Sequence, residues 1–168
     1  MTATIAIGPL TPAHRSRIEE IVRATGVFAQ NEVDVALDVF DAVDDYEFVG
    51  AFEGETLVGY ACFGPTPATD RTYDLYWIAV HPDAQRAGTG AALMDHVERT
   101  LEERRARMLV IETSSRDAYT PTRKFYHKRG YQEATQLQDF YASGDDRIVL
   151  TRRIMAGPDG KGADRLPQ

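Results

Sequence analysis

A mixed α/β fold with a mostly antiparallel sheet is predicted for this chain by three observations. Segments rich in β-branched and aromatic residues alternate with amphipathic helical segments in the order β-α-α-β-β-β-α-β-α-β-β. Two pairs of neighbouring strands are separated by only a few turn-forming residues, Glu53-Gly54-Glu55 and Ser143-Gly144-Asp145-Asp146, as antiparallel hairpins require. One strand, starting at Tyr73, runs through a glycine-rich turn straight into a long helix that crosses over the sheet.

Taken in order, Ile5 and Ile7 flank Ala6 in a short extended segment that ends at Gly8-Pro9. Thr11-Pro12 opens the first helix as a cap followed by proline at the first helical position. Ile18, Ile21 and Val22 form its apolar face, and Gly26 ends it. The second helix covers residues 31–43, with Val33, Leu37 and Phe40 on one face. Asp34, Asp38, Asp41 and Asp45 lie along another face, either a solvated row or a wall that attracts a cationic substrate. Strands over 46–52 and 56–63 make the first hairpin, and Gly64-Pro65-Thr66-Pro67 opens a loop that ends near Arg71. The strand over 73–80 and the helix over 88–105 follow, then a strand over Met108–Ser114. A helix from Thr120-Pro121 to Gly130 and two strands over 134–141 and 147–154 complete a single domain spanning 1–155. Residues 156–168, dominated by glycine, proline and charge, are expected to be a disordered tail.

Residues 73–93 organise the rest. The strand closes at His81-Pro82, residues 85–91 form the glycine turn, and Leu93, Met94, Val97 and Leu101 give the helix one apolar face. Strand, glycine turn and helix in that order offer an anion free backbone N–H groups and the positive end of a helix dipole. Gly88 and Gly90 lack Cβ, so a phosphate can approach the main chain, and Arg86 adds a charge suited to phosphate oxygens. A nucleoside-triphosphate loop would need Lys then Ser or Thr where Ala91-Ala92 stand, and a dinucleotide fingerprint would need glycine at Leu93.

The run Gln85-Arg86-Ala87-Gly88-Thr89-Gly90-Ala91-Ala92-Leu93, preceded by Ile78-Ala79-Val80-His81-Pro82, instead resembles the Q/R-x-x-G-x-G/A signature of the GNAT superfamily of N-acetyltransferases. A plain strand-to-helix turn that needs glycines is the alternative. The resemblance covers residues 5–154 and is most specific over 73–131. It implies a twisted sheet whose central strands, 73–80 and 108–114, splay apart with acetyl-coenzyme A between them. It also implies that Arg86, Ala87, Gly88, Thr89, Gly90 and Ala91 hold the pyrophosphate, while Ile78, Ala79 and Val80 contact the pantetheine arm through their backbone.

Moving an acetyl group onto an amine poses three problems: the amine loses a proton, the thioester oxygen gains charge, and the leaving thiolate needs a proton. No covalent intermediate is required when the amine attacks directly in a ternary complex, and Cys62 is expected to be a small core residue. Lys124-Phe-Tyr-His-Lys-Arg-Gly-Tyr131 resembles the superfamily's F-Y-x-x-x-G-F/Y element, which makes Tyr126 the implied general acid. A phenol with an ordinary pKa near about 10 is protonated at neutral pH. Tyr131 closes the element and reads as core. Two carboxylates are candidate bases, each an acidic residue in an apolar strand. Glu112 matches a glutamate of N-terminal protein acetyltransferases and Asp74 the position of the histone-type glutamate; Glu112, with the longer side chain, is preferred. A backbone N–H near Val80 or Ile78 is implied for the thioester oxygen. Tyr119 stands where many members have a coenzyme-contacting asparagine, and Arg123 is the substitute expected to reach a phosphate. His81 and His127 read as turn or surface residues.

A chain of 168 residues, 43% hydrophobic and 27% charged, suits one globular domain with a sizeable core. The net charge of −7 argues against nucleic acid and fits a cationic acceptor. A lone cysteine, no apolar run long enough for a membrane and no leader at Met1 favour a soluble cytoplasmic protein without a metal. The expected acceptor is a small-molecule or peptide amine, with an amino-acid or other small amine preferred and Tyr46, Phe28, Phe140 and Tyr141 lining its pocket. A homodimer through the late strands is implied by the resemblance alone. The readings from other classes are an acetyl-coenzyme A-binding module or sensor without catalysis and a nucleotide-binding protein.

Overall fold

The structure, a computed structural model, describes residues 4–42 and 46–154, with Arg86 described by its backbone alone. The expected tail and Asp45 of the acidic row lie outside the described residues. The mixed α/β class with mostly antiparallel strands is the one expected. By contacts the chain divides into two compact units.

The first unit comprises Met1–Gly64 and Leu75–Arg99. It holds β1 (Ile5–Gly8), α1 (Arg15–Ala24), α2 (Gln30–Asp41), β2 (Glu47–Glu53) and most of β3 (Thr56–Pro65), β4 (Thr72–Val80) and α3 (Thr89–Glu103). The strand order is β1-β2-β3-β4, with β1/β2 and β2/β3 antiparallel. Gly54, at φ +59, makes the tight β2–β3 turn that a side chain would strain. Helix α1 begins later than its proline suggests. The Thr11 N–H donates to His14 Nδ1 at 3.0 Å and His14 N–H to Thr11 O at 2.9 Å, so Pro12–His14 form a tighter 3₁₀ turn first. Helix α2 starts at Gln30 because Glu32 reaches back to accept the Ala29 N–H at 2.6 Å. The apolar faces of both helices, Ile18, Ile21 and Val22 with Val33, Leu37 and Phe40, close on Leu57, Tyr60 and Ala79. Burying each large apolar side chain there stabilises the unit by about 1.5–3 kcal/mol.

The second unit comprises Pro65–Asp74 and Thr100–Gln168. It holds β5 (Met108–Ser114), α4 (Thr120–Lys128), β6 (Gln132–Ala142) and β7 (Asp145–Arg153), with strand order β5-β7-β6 and antiparallel pairing throughout. Leu109, Ile111 and Thr113 are buried while Glu112 is exposed, the period-two signature of a strand with one covered face. A 3₁₀ turn over Asp117–Tyr119 precedes α4, so Tyr119 rather than Thr120 occupies its cap, and Gly130 at φ +89 ends it. β6 is exposed along its whole length. Its register with β7 breaks between Leu137 and Ala142, where Asp139 adopts φ +53.

Candidate active site

In the first unit, the segment after β4 is more ordered than a glycine-rich loop. Pro82–Ala87 form a 3₁₀ helix, started by His81, whose Nδ1 accepts the Asp83 N–H at 3.2 Å while its carbonyl accepts the Ala84 N–H at 2.9 Å. Gly88 then takes φ +76, and this left-handed step redirects the chain so that α3 starts at Thr89. A Cβ on Gly88 would meet nothing within 4 Å, so the main chain there is open. The first-turn N–H groups of α3, from Thr89, Gly90 and Ala91, have no acceptor within the helix. The side chain of Thr89 is fully buried and its hydroxyl donates to Ala84 O at 2.9 Å, so Thr89 locks the turn and offers a ligand only its backbone. Beneath it lies Gly59 of β3, where a Cβ would stand 3.1 Å from Ala79 O and 3.2 Å from Thr89 Cγ2 and Val80 Cγ2. The missing side chain seats the turn against the end of β4. An open left-handed glycine followed by a new helix N-terminus fits a pyrophosphate in shape and in sign of charge. The Arg86 side chain lies outside the described part of the chain.

In the second unit, Tyr126 of α4 is buried, with its ring 5.4 Å from Phe125 and 5.8 Å from Tyr131. Burial pushes its phenol above the ordinary tyrosine value, which disfavours the phenolate. Tyr131 is buried as expected. The two carboxylates have different partners. Asp74 is half-buried and accepts the Thr66 hydroxyl on Oδ2 at 2.7 Å. Glu112 is exposed and accepts from Arg147 Nη2 of β7 on Oε1. Arg123 directs Nη1 at Ser114 O and Arg116 O, at 2.7 and 3.0 Å, and Nη2 at Thr120 Oγ1, at 3.0 Å. It therefore braces the β5–α4 connection. Tyr119 lies beneath the Arg116 guanidinium, 5.1 Å from ring to Cζ. Cys62 is fully buried and its thiol is pushed up to about 12 by desolvation, which removes the thiolate a nucleophile needs.

A sequence model of the acetyltransferase (GNAT) family matches residues 16–131. The chain belongs to that family. Among its relatives, the [ribosomal protein bS18]-alanine N-acetyltransferase of Escherichia coli (strain K12) is 34% identical over 87 residues, which is 52% of this chain and 57% of that protein. The match thus spans little more than half the length of that relative. A crystal structure of a GNAT-family protein from Desulfovibrio desulfuricans is 39% identical, covers 90% of this chain and 100% of its own, and superposes with a TM-score of 0.85. A structure from Salmonella typhimurium with its cofactor acetyl-CoA is 20% identical, covers 92% of this chain and 96% of its own, and has a TM-score of 0.71. At that identity the likeness is one of fold.

Three residues of this GNAT chain escaped the sequence reading. Arg147 stands before Ile148-Val149-Leu150, and a cation opening an apolar strand is a weak signal on its own. Thr66 lies in a proline-rich loop with nothing to pair it with Asp74. Gly59 reads as an ordinary strand glycine until the turn packs on it. Among the described residues no group of three or more His, Cys, Asp or Glu is arranged to hold a metal ion, and no helix is long and apolar enough to cross a membrane.

Proposed function

We propose that the protein transfers the acetyl group of acetyl-CoA to a primary amine, with a peptide N-terminus as the acceptor to be tried first. The observation that carries this reading is the open, left-handed Gly88 set immediately before the N-terminus of α3 in a GNAT-family chain. Acetyl-CoA supplies the acetyl thioester. Backbone N–H groups of residues 88–91 hold the pyrophosphate, with the Arg86 side chain as an added charge, and the main chain of Ile78, Ala79 and Val80 aligns the pantetheine arm. Tyr126, a phenol protonated at neutral pH, gives its proton to the departing thiolate. Glu112 removes the amine proton through a water, and Asp74 is the second candidate for that task. The peptide acceptor is supported by the alanine N-acetyltransferase relative, which moves the preference away from a free small amine. The negative net charge of −7 suits an acceptor that arrives as a cation, and a cytoplasmic location suits a peptide acceptor.

Two measurements test the reading in sequence. Calorimetric titration with acetyl-CoA is expected to give micromolar binding; none at millimolar coenzyme would remove the cradle. Thiol release is then followed with a short peptide that begins with alanine, beside an amine panel. Binding without thiol release on any amine would favour the non-catalytic sensor.

A further inference from the structure

Glu112 does not face solvent alone. It shares a face of the β5–β7 pair with Arg147, because Ser114 pairs with Arg147 and Glu112 with Val149, which puts the two charges at diagonal positions across the ladder. Arg147 Nη2 donates to Glu112 Oε1. The same guanidinium also lies over Phe140, with Cζ 5.0 Å from the ring centroid. Arg147 Nε is buried and meets no acceptor among the described residues. An exposed ion pair usually contributes little to stability, since two long side chains lose rotamer freedom to form it. This pair is different in one respect: the cation also stacks on a ring, which narrows the positions its guanidinium takes.

The ring in turn is held by backbone. Phe140 is 51% exposed, yet it sits in the β6 irregularity where Asp139 takes φ +53, a left-handed conformation that aspartate tolerates and that local hydrogen bonds hold in place. The Asp139 N–H donates to Asp146 Oδ1 at 2.9 Å, the Gln136 amide donates to Asp146 Oδ2 at 2.7 Å, and the Gly144 N–H donates to Asp139 Oδ1 at 2.7 Å. Asp146 is itself tied to the end of β5 by its own N–H, which donates to Ser115 Oγ at 2.8 Å. A clamped bulge thus aims an exposed aromatic ring at an arginine, and that arginine aims a carboxylate.

We propose that Arg147, stacked on Phe140, is a positioning residue that orients the Glu112 carboxylate toward the acceptor amine. The proposal rests on the reading of Glu112 as the base. Arg147 fixes which oxygen of Glu112 is occupied, Oε1, and so leaves Oε2 as the oxygen that meets the water or amine.

The test compares E112Q, R147M, R147K and the double variant E112Q/R147M in acetyl transfer to the alanine-leading peptide, with acetyl-CoA binding and thermal unfolding as controls. R147M is expected to lower kcat about tenfold while the KM for acetyl-CoA stays within about twofold, as for a group that acts only on the chemical step. R147K should recover part of that loss, since it restores the charge without the planar fork. The double variant should lose no more than E112Q alone, because the two residues act through one carboxylate. Wild-type kcat in R147M, or a double loss equal to the product of the single losses, overturns the positioning role while E112Q still marks Glu112 as the base. Wild-type kcat in E112Q overturns the base assignment and the proposal together. Should R147M unfold early, F140L removes the stacking partner from an exposed site and carries the same comparison, with wild-type kcat again overturning the role.

Discussion

Gly88 serves two purposes that no other residue serves together. Its φ of +76 turns the chain into α3, and its bare main chain leaves room for an anion. The second purpose is separable, because a Cβ there meets nothing within 4 Å. Gly88→Ala is therefore expected to cost about 1–2 kcal/mol from the left-handed conformation alone. Gly88→Asp adds a carboxylate against the pyrophosphate and should weaken acetyl-CoA binding more than about tenfold at unchanged fold, which calorimetry beside a melting curve resolves. Tyr126 is held differently, by packing, and burial disfavours its phenolate. Tyr126→Phe preserves the ring contacts with Phe125 and Tyr131 and removes only the hydroxyl. Its expected signature is a fall in kcat of about 10²-fold with acetyl-CoA affinity unchanged; an unaltered kcat would remove it as the acid.

The 3₁₀ segment at 82–87 and α3 behave as one element because Thr89 bridges them. Its buried hydroxyl holds Ala84 O from the first position of the helix, so the register of the turn and the direction of the helix N-terminus are set together. Thr89→Val keeps the shape and leaves Ala84 O without that donor. The expected loss is about 1–2 kcal/mol of stability, accompanied by weaker coenzyme binding; a variant that melts lower yet binds acetyl-CoA as before would separate the turn from the cradle. Gly59 supports the same element from below, where any side chain would push Val80 and Thr89 away from β3.

Across the described residues, alkaline pH acts through groups whose pKa burial raises, the Cys62 thiol and two phenols. Tyr60 is fully buried and its phenol, like that of Tyr126, is pushed above the ordinary tyrosine value by desolvation. Below the unfolded value of about 10, both phenols are neutral in the folded and unfolded chain, and their contribution is fully present. Above it, the unfolded chain ionises first, so stability falls as pH rises through the interval up to the raised folded values. Because the unfolded Cys62 thiol ionises first, denaturant midpoints are expected to hold steady to about pH 8 and drop beyond it, and Tyr60→Phe should reduce the slope above about pH 10. A midpoint flat to about pH 11 would mean that water reaches these hydroxyls.

The order of elements, the apolar faces of α1 and α2 and the strand-turn-helix at 73–93 were all readable from local spacing, because Ile18, Ile21, Val22 or Gly88 and Gly90 need only near neighbours in the chain to declare a helix face or a turn. The identity of the turn as a 3₁₀ helix was less readable, since it rests on His81, which read only as a turn or surface residue and whose ring nitrogen and carbonyl accept the Asp83 and Ala84 N–H groups. The partners of the candidate base were not readable at all. Glu112 and Arg147 lie 35 residues apart, and their meeting depends on the antiparallel register of β5 with β7, in which a slip of one residue would turn one of them to the opposite face. Periodicity records which side of a strand a residue takes. Only the pairing of distant strands decides which charge it finds there, and that pairing is set by the summed burial of Leu109, Ile111, Ile148 and Leu150 rather than by either charge.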